Sequence, residues 1–377
     1  SFNGQHIKII SKNPGFYGDA SGVYLQNVPD NVTAGIYNYG IMSKISGNGK
    51  VVVVGGNYNS TNSHIYIYTL VNNVWTFAST ITENISGTYG YGMDINYDGT
   101  LLAVANHDYY STYSRAYIYR LLNGVKQQTL STLSKSQPNF GQKLKMSHSG
   151  TAIVIADSHH PNNSYFYVYT TSDNGNSWSQ KSTNGESWLS VADHAMSSDF
   201  YVSDDGNLVI YGGYTNDHDS RSDVGALVCT VFNGSTWTNN WIYQRWSGWS
   251  SVDGYDYVES NGDSGNHVRF GRCLSISENE EYFAIGGLNG VTNQDGVVFL
   301  AQANRDDLSN GKVRKILPKA ILFPSASGND FSGGDQGDQY AQWGFYNNSL
   351  SLTKDGSMLA VGGYNVGIDV FTIAWGD

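Results

Sequence analysis

Six times along this chain one unit recurs. A hydrophobic stretch meets a tight polar-glycine turn, then a second apolar stretch closing near Gly-Gly, a polar loop, and an alternating aromatic stretch. The clearest copies are YGYGMDINYDGTLLAVANHD from Tyr89, FGQKLKMSHSGTAIVIADSH from Phe140 and WGFYNNSLSLTKDGSMLAVGGYN from Trp343. A fixed supersecondary unit repeated in this way is the signature of a closed or stacked array. One unit is too small to bury its own apolar face, so its neighbours must supply the burial.

The turns set the period. They fall at Asn48-Gly49, Asp98-Gly99, Ser149-Gly150, Asp205-Gly206, Asn279-Glu280 and Asp355-Gly356, about 50, 51, 56, 74 and 76 residues apart. Asn-Gly or Asp-Gly between alternating apolar runs is a hairpin signal, because the tight turn needs positive φ. In the second unit the pattern predicts strand a over 90–96, b over 101–105, c over 116–121 and d over 125–130, with Asn123-Gly124 turning c into d. Four short antiparallel strands in roughly 50 residues match one propeller blade. The expected fold is therefore all-β: a single six-bladed β-propeller over residues 1–377, with loop insertions around 243–268 and 317–342. The sixth unit stops after DVFTIAW. The alternating QHIKII of residues 5–10 is expected to supply its fourth strand by pairing with 368–374, which removes two free sheet edges. Seven blades is the alternative, if residues 16–36 or the segment after Trp241 form another.

Composition agrees with this reading and narrows the function. The 28 Tyr and 44 Gly, against 6 Pro, suit pleated half-buried surface joined by turns. Charged residues make up 14% and the formal net charge is −11, which disfavours a nucleic acid partner. Nothing approaches the roughly 20 apolar residues of a membrane helix, so no membrane insertion is expected. The chain starts at Ser1, so the lack of a leader carries no information. Cys229 and Cys273 fall on expected strands of successive units and read as two buried thiols, with a pair as the alternative. N-x-Ser/Thr sequons stand at Asn31, Asn59, Asn84, Asn162, Asn233 and Asn347, and are glycosylation sites if a eukaryotic source secretes the chain.

Two family resemblances follow from the motifs. The Phe-Gly pairs at 140–141 and 270–271, Trp343-Gly344, and the Gly-Gly pairs at 55–56, 212–213, 286–287 and 362–363 resemble the FG-GAP repeats of integrin-type propellers. That likeness implies the fold over nearly the whole chain. The calcium motif D-x-D-x-D-G of that family has no intact copy here. Thr171-Ser172-Asp173-Asn174-Gly175-Asn176-Ser177-Trp178 resembles the Asp-box of sialidase-like propellers, with reduced versions at Asn72-Asn73-Val74-Trp75 and Asn233-Gly234-Ser235-Thr236-Trp237. The residues themselves explain its role: Asp accepts turn N–H groups, Gly takes positive φ, and Trp packs between sheets. The Asn/Ser/Tyr-rich, Lys-poor composition also resembles phage and large-virus surface propellers.

In a propeller the a–b and c–d turns share one end of each blade, and the b–c and d–a loops share the other. Here the first set is expected to be short, repetitive and poor in side-chain variety, and the second long and unlike. Long unlike loops on a rigid scaffold are where recognition sits. Trp246, Trp249, Tyr255 and Tyr257 crowd one such loop and are the expected ligand-binding residues, since flat rings with polar rims stack on sugars or form protein hot spots. Packing of that loop onto the propeller is the competing reading. Asp217, Asp219 and Asp223 are the metal candidates, for calcium; no other cofactor is expected. His107, His159, His160 and His218 lie in equivalent loops and read as solvated polar residues or metal ligands. No nucleophile elbow, phosphate loop or sialidase arginine context appears. The expected function is non-enzymatic: an extracellular or virion-surface module, from a fibre protein or secreted adhesin. It binds a glycan or protein partner through its long-loop end, as part of a larger assembly. The alternative is a carbohydrate-active propeller enzyme of sialidase-like or other type.

Overall fold

The computed structural model describes residues 8–13, 42–56, 63–72, 74–83, 88–107, 114–134, 140–157, 165–181, 196–213, 225–243, 270–288, 296–303, 308–309, 312–313, 316–322, 350–363 and 367–375. The chain is an all-β, six-bladed β-propeller, and no helix occurs among the described residues. It divides into two compact units. One is Ser1–Asp19 with Val191–Tyr201 and Leu208–Asp377; the other is Ala20–Ser190 with Val202–Asn207.

Each blade is a four-stranded sheet in the order a-b-c-d. Blade one comprises Met42–Ile45, Val51–Gly56, Ser63–Val71 and Val74–Glu83. Blade two comprises Thr88–Ile95, Leu101–His107, Arg115–Leu122 and Val125–Ser134, each expected strand being present and longer than its pattern. Blade three comprises Lys143–Met146, Ala152–Asp157, Tyr165–Thr170 and Ser179–Gln180. Blade four comprises Met196–Val202, Leu208–Gly213, Ala226–Phe232 and Trp237–Tyr243. Blade five comprises Leu274–Ile276, Tyr282–Leu288, Gly296–Ala303 and Ile316–Leu322. Blade six takes Leu350–Leu352, Met358–Gly363 and Gly367–Ala374 from the end of the chain and Lys8–Asn13 from its start. That last strand runs antiparallel to its neighbour, with Lys8 opposite Ala374 and Asn13 opposite Val370. The expected closure is present, three residues later than the alternation QHIKII suggests.

Two expectations about the connections need correction. Residues 317–322 are not loop but part of strand d of blade five, where Pro318 pairs with Ala301 beside a register shift. Proline lacks the N–H a central strand would use, and it is tolerated on an outer edge strand at a bulge. The c–d connection of the same blade is not a minimal turn either. It carries a hairpin of its own, Leu308–Ser309 paired with Lys312–Val313.

The Phe-Gly and Gly-Gly pairs explain how neighbouring sheets come close. Phe140 is fully buried and meets Tyr167 of its own blade edge-to-face at 5.4 Å; Phe270 does the same with Phe299 at 5.1 Å. The glycine that follows turns the chain with φ of 91° at Gly141 and 86° at Gly271. A side chain on Gly141 would meet Ala105 Cβ of blade two at 2.6 Å, and one on Gly212 of blade four would collide with the backbone of Gly271 of blade five. Between Gly212 and Gly271 backbone therefore lies against backbone where a methyl group cannot fit. Strand b is the buried centre of each sheet; Leu208–Gly213 is buried along its whole length. Each such Leu, Val or Ile contributes about 1.5–3 kcal/mol. Cys229 and Cys273 are buried thiols that form no disulfide and share one apolar cluster with Phe283 and Phe299, as the reading of two buried thiols expects.

Candidate functional site

The a–b connections occupy 46–50, 96–100, 147–151, 203–207, 277–281 and 353–357, one length in all six blades. Their chemistry is equally regular. The side chain at the first position caps the start of strand b. Ser46 Oγ accepts Val51 N–H at 3.0 Å, Asn96 Oδ1 accepts Leu101 N–H at 2.9 Å, and Ser147 Oγ accepts Ala152 N–H at 3.0 Å. Ser277 Oγ and Thr353 Oγ1 accept the corresponding N–H groups of Tyr282 and Met358 at 2.8 and 2.9 Å. The third position folds back on the turn, as Asp98 Oδ1 does towards Thr100 N–H at 3.0 Å and Asp355 Oδ1 towards Ser357 N–H at 3.0 Å. The fourth residue is left-handed. Five of the six are glycine, and in the fifth blade Glu280 takes φ 58° instead.

Neighbouring turns are tied to one another. In the unit holding blades one to three, Asn48 N–H donates to Tyr97 O at 2.9 Å and Tyr97 N–H donates to His148 O at 2.9 Å. Ser149 donates both N–H and Oγ–H to Asp204 Oδ1, at 2.8 and 2.6 Å. The rings of Tyr97 and His148 lie 4.2 Å apart, and the tyrosine also lies against Gly47. In the other unit, Glu278 N–H donates to Lys354 O at 3.1 Å and its carboxylate holds Lys354 Nζ at 2.6 Å. The second turn position is thus Gly47, Tyr97, His148, Asp204, Glu278 and Lys354 in the six blades. This corrects the expectation of little side-chain variety at this end. The aligned sequence held the signal, since that one position differs in every copy while its flanks stay within Ser, Thr or Asn on one side and Asn, Asp or Ser on the other.

Polar groups on the innermost strands serve the same linkage. Asp94, opposite Ala103 in its sheet, is buried and accepts Met146 N–H at 2.9 Å, with Lys145 Nζ at 3.5 Å. Ser275, in the matching place opposite Ala284, accepts Leu352 N–H at 2.9 Å. The unpaired inner edge of the next sheet is satisfied in both cases.

The Thr171–Trp178 turn closes around its aspartate as its residues imply. Asp173 Oδ1 accepts Ser177 N–H at 2.9 Å and Oδ2 accepts Ser177 Oγ–H at 2.6 Å. Thr171 Oγ–H adds a third bond at 2.7 Å. These donors favour the ionised form, and the Ser177 hydroxyl and N–H lead in holding the Asp173 pKa down to about 2. Gly175 has φ 85°, and Trp178 Nε1–H donates to its carbonyl at 3.0 Å while packing against the apolar cluster of blades two and three. Arg120 of blade two reaches Asn174 O at 2.9 Å, tying this turn to the neighbouring sheet.

The residues picked out from sequence for binding mostly lie elsewhere. Trp246, Trp249, Tyr255 and Tyr257, the metal candidates Asp217, Asp219 and Asp223, and Asn31, Asn59, Asn84, Asn162 and Asn347 are outside the described residues, as are His159, His160 and His218. His107 ends strand b of blade two. Asn233 is exposed at a hairpin tip, where its Oδ1 accepts Ser235 and Thr236 N–H at 3.0 and 2.8 Å. Among the described residues no three His, Cys, Asp or Glu side chains gather in a way that could hold a metal ion. No described helix is long and apolar enough to cross a membrane.

No family model matches the chain, and no curated protein matches it. Solved structures match in fold. A protein of Lactobacillus plantarum is 10% identical, with 85% of this chain and 76% of that chain covered and a TM-score of 0.48. A Bacteroides fragilis protein described as a candidate 6-phosphogluconolactonase is 11% identical, with 88% and 79% covered and a TM-score of 0.49. The periplasmic gluconolactonase of Pseudomonas aeruginosa is 10% identical, with 89% and 87% covered and a TM-score of 0.47. At these identities the likeness concerns the fold alone.

Proposed function

We propose that the chain is a non-enzymatic recognition module, a single domain exposed outside the cell or on a virion, which binds a glycan or protein partner through the b–c and d–a loops. The observation that carries this reading is the contrast between the two ends of the blades. The a–b connections have one length and one hydrogen-bond plan, whereas the connections 214–225, 244–273 and 323–349 at the other end share neither length nor sequence. A scaffold whose a–b turns keep one plan while its longest connections are all unlike suits a binding protein. The loop 244–273 brings Trp246, Trp249, Tyr255 and Tyr257, aromatic anchors of the kind that dominate binding energy. Kinship with FG-GAP and Asp-box propellers belongs to the same proposal. The Phe-Gly turns and the Asp173 turn support it by adopting the conformations those motifs need.

The test is a glycan array run beside a panel of chromogenic glycosides and sugar lactones, the lactones because similar folds include proteins named as lactonases. Saturable glycan binding without turnover supports the module. Turnover of any of these substrates that disappears on changing one loop carboxylate overturns it in favour of a carbohydrate-active enzyme.

A further inference from the structure

The a–b turn of blade four differs from the other five at its fifth position, where Asn207 stands in place of Lys50, Thr100, Thr151, Glu281 or Ser357. Its carboxamide is held at both ends. Nδ2–H donates to Asp205 Oδ2 at 2.9 Å, and Oδ1 accepts Lys181 Nζ–H at 2.5 Å. Asp205 is itself fixed, because its Oδ1 accepts Ser203 Oγ–H at 2.6 Å and Asn207 N–H at 2.9 Å. The Asn207 Cγ atom lies one C=O bond beyond Oδ1, so it is no farther than about 3.7 Å from the lysine nitrogen. That is close to the spacing of two atoms about to react.

Lys181 comes from the neighbouring blade. It follows directly on Ser179–Gln180, the short outer strand of blade three, and its N–H donates to Val168 O at 2.9 Å. Its stem lies against the blade-four turn, since a side chain on Gly206 would meet Thr170 Cγ2 at 2.6 Å and Lys181 Cε at 3.3 Å. Asp204 pins the same turn to blade three. Its carboxylate accepts Ser149 Oγ–H at 2.6 Å and its carbonyl accepts Thr151 Oγ–H at 2.7 Å. The lysine and the carboxamide are therefore presented to each other by backbone that is tied on both sides. Lys181 and Asn207 are half-buried and Asp205 is exposed. Burial lowers the Lys181 pKa, with the Asp205 charge acting the other way, so more of this lysine is neutral amine than of a solvated one.

We propose that Lys181 and Asn207 are a site of spontaneous covalent modification, at which an amide bond forms between the two side chains and joins blade three to the a–b turn of blade four. The step needs no other reactant. The Lys181 ammonium first loses a proton to solvent. The free amine then attacks Asn207 Cγ, and an N–C bond forms as the carbonyl π pair moves onto Oδ1. One Nζ proton passes through the Asp205 carboxylate to Nδ2, which that carboxylate already holds. The carbonyl re-forms, the Cγ–Nδ2 bond breaks and ammonia leaves. Nothing is oxidised or reduced, and the carboxylate is returned unchanged. The bond anchors an outer strand of 2 residues, where the outer strands of the other blades have 6 to 10.

The probe is the intact mass of the purified full chain, followed in buffer until it stops changing. It is expected to settle one ammonia below the mass of the encoded sequence. Trypsin should no longer cut after Lys181, and tandem mass spectrometry should find the peptides holding Lys181 and Asn207 joined. Lys181→Arg, which keeps the charge and a hydrogen-bond donor but loses the nucleophile, should restore the full mass. Asn207→Ser, which keeps a turn-forming residue, should do the same. Asp205→Ala should slow the loss of ammonia at least tenfold, and Asp205→Glu should recover part of the rate. A wild-type chain that keeps its full mass overturns the proposal. So does a loss of ammonia that persists in Lys181→Arg, or one that maps to a ring closed at an Asn-Gly pair such as Asn233-Gly234. An undiminished rate in Asp205→Ala overturns the part given to the carboxylate.

Discussion

The two ends of the blades are held together by different physics. At the a–b end, the turns satisfy their own backbone, and within each unit turns are hydrogen-bonded to neighbouring turns, as Asn48, Tyr97, His148, Ser149 and Asp204 are in succession and Glu278 and Lys354 are. At the b–c end, sheets approach until backbone touches backbone, as Gly212 and Gly271 do. In the first kind of junction, where the acceptor is a main-chain carbonyl, as at Tyr97, His148 and Lys354, the link is indifferent to the side chain at the second turn position, whereas Asp204 supplies its acceptor from that side chain; six different residues stand there. The second has no room for a side chain between Gly212 and Gly271, while at the matching contact of blades two and three Ala105 stands against Gly141. A surface can therefore diversify at the turn end without disturbing the scaffold, while the loop end diversifies only beyond the glycine contacts, in its long connections.

The largest expected effect tests the glycine contact. Gly212→Ala places a methyl group into the Gly271 backbone, which cannot move aside as a flexible side chain would. The loss should be about 3 kcal/mol, at the upper end for overpacking. Urea denaturation measures it, and a change under half that size would mean the sheets separate there at little cost. Next comes the loop end as a binding site. Trp246→Ala with Trp249→Ala should weaken partner binding by more than about 2 kcal/mol while leaving thermal unfolding nearly unchanged. If the rings only pack the loop, stability should instead fall by about 3–5 kcal/mol. A partner found on the Asp98-Gly99 and Asp355-Gly356 end alone would overturn the assignment of recognition to the loops. A smaller effect probes the turn itself. Gly49 has φ 68° and open space around it, so Gly49→Ala should cost only the strain of a left-handed alanine, about 1 kcal/mol. Gly99→Ala should cost more, because Val51 Cγ2 stands 2.6 Å from the added carbon.

Most of the turn end was legible in the sequence. Ser, Thr or Asn at the first position, Asp, Asn or Ser at the third and Gly at the fourth announce a self-bonded turn, and Asn279-Glu280 kept its register without the glycine. Glu280 adopts the left-handed conformation, and its carboxylate accepts Tyr201 Oη–H at 3.2 Å. Strand b was legible because four consecutive apolar residues before Gly-Gly have few other fates. What escaped was set by tertiary context. Pro318 reads as a loop residue until a neighbouring strand supplies the bulge that admits it. Asp94 reads as a polar residue on a strand, and only the next sheet's Met146 N–H gives it a partner. The turn-to-turn links join residues about one repeat apart, a distance at which no local pattern speaks. The binding candidates rested on composition within long loops, where sequence carries chemistry but no geometry.

The smallest effect concerns the two aspartates that close turns of different kinds. Asp173, in the c–d turn of blade three, is held to a pKa of about 2 chiefly by the Ser177 hydroxyl and N–H. Asp355, in the a–b turn of blade six, is held to about 2 chiefly by the Ser357 N–H, then its hydroxyl. Both shifts lie below the ordinary value of 3.8, so both groups bind protons more weakly folded than unfolded. Their contribution to stability is therefore complete above pH 3.8 and is lost as pH falls towards 2. Both groups sit at the surface, so the effect on global stability is small and the local titration is the sharper readout. Carboxyl carbon NMR should place both midpoints well below those of unconstrained aspartates in the same chain. Ser177→Ala should move the Asp173 midpoint upward and leave Asp355 where it is. A normal midpoint for either residue would mean that its turn opens in solution. An a–b turn that opens while the Asp173 turn stays shut would reverse the ranking in which the a–b turns are the constant part of the scaffold.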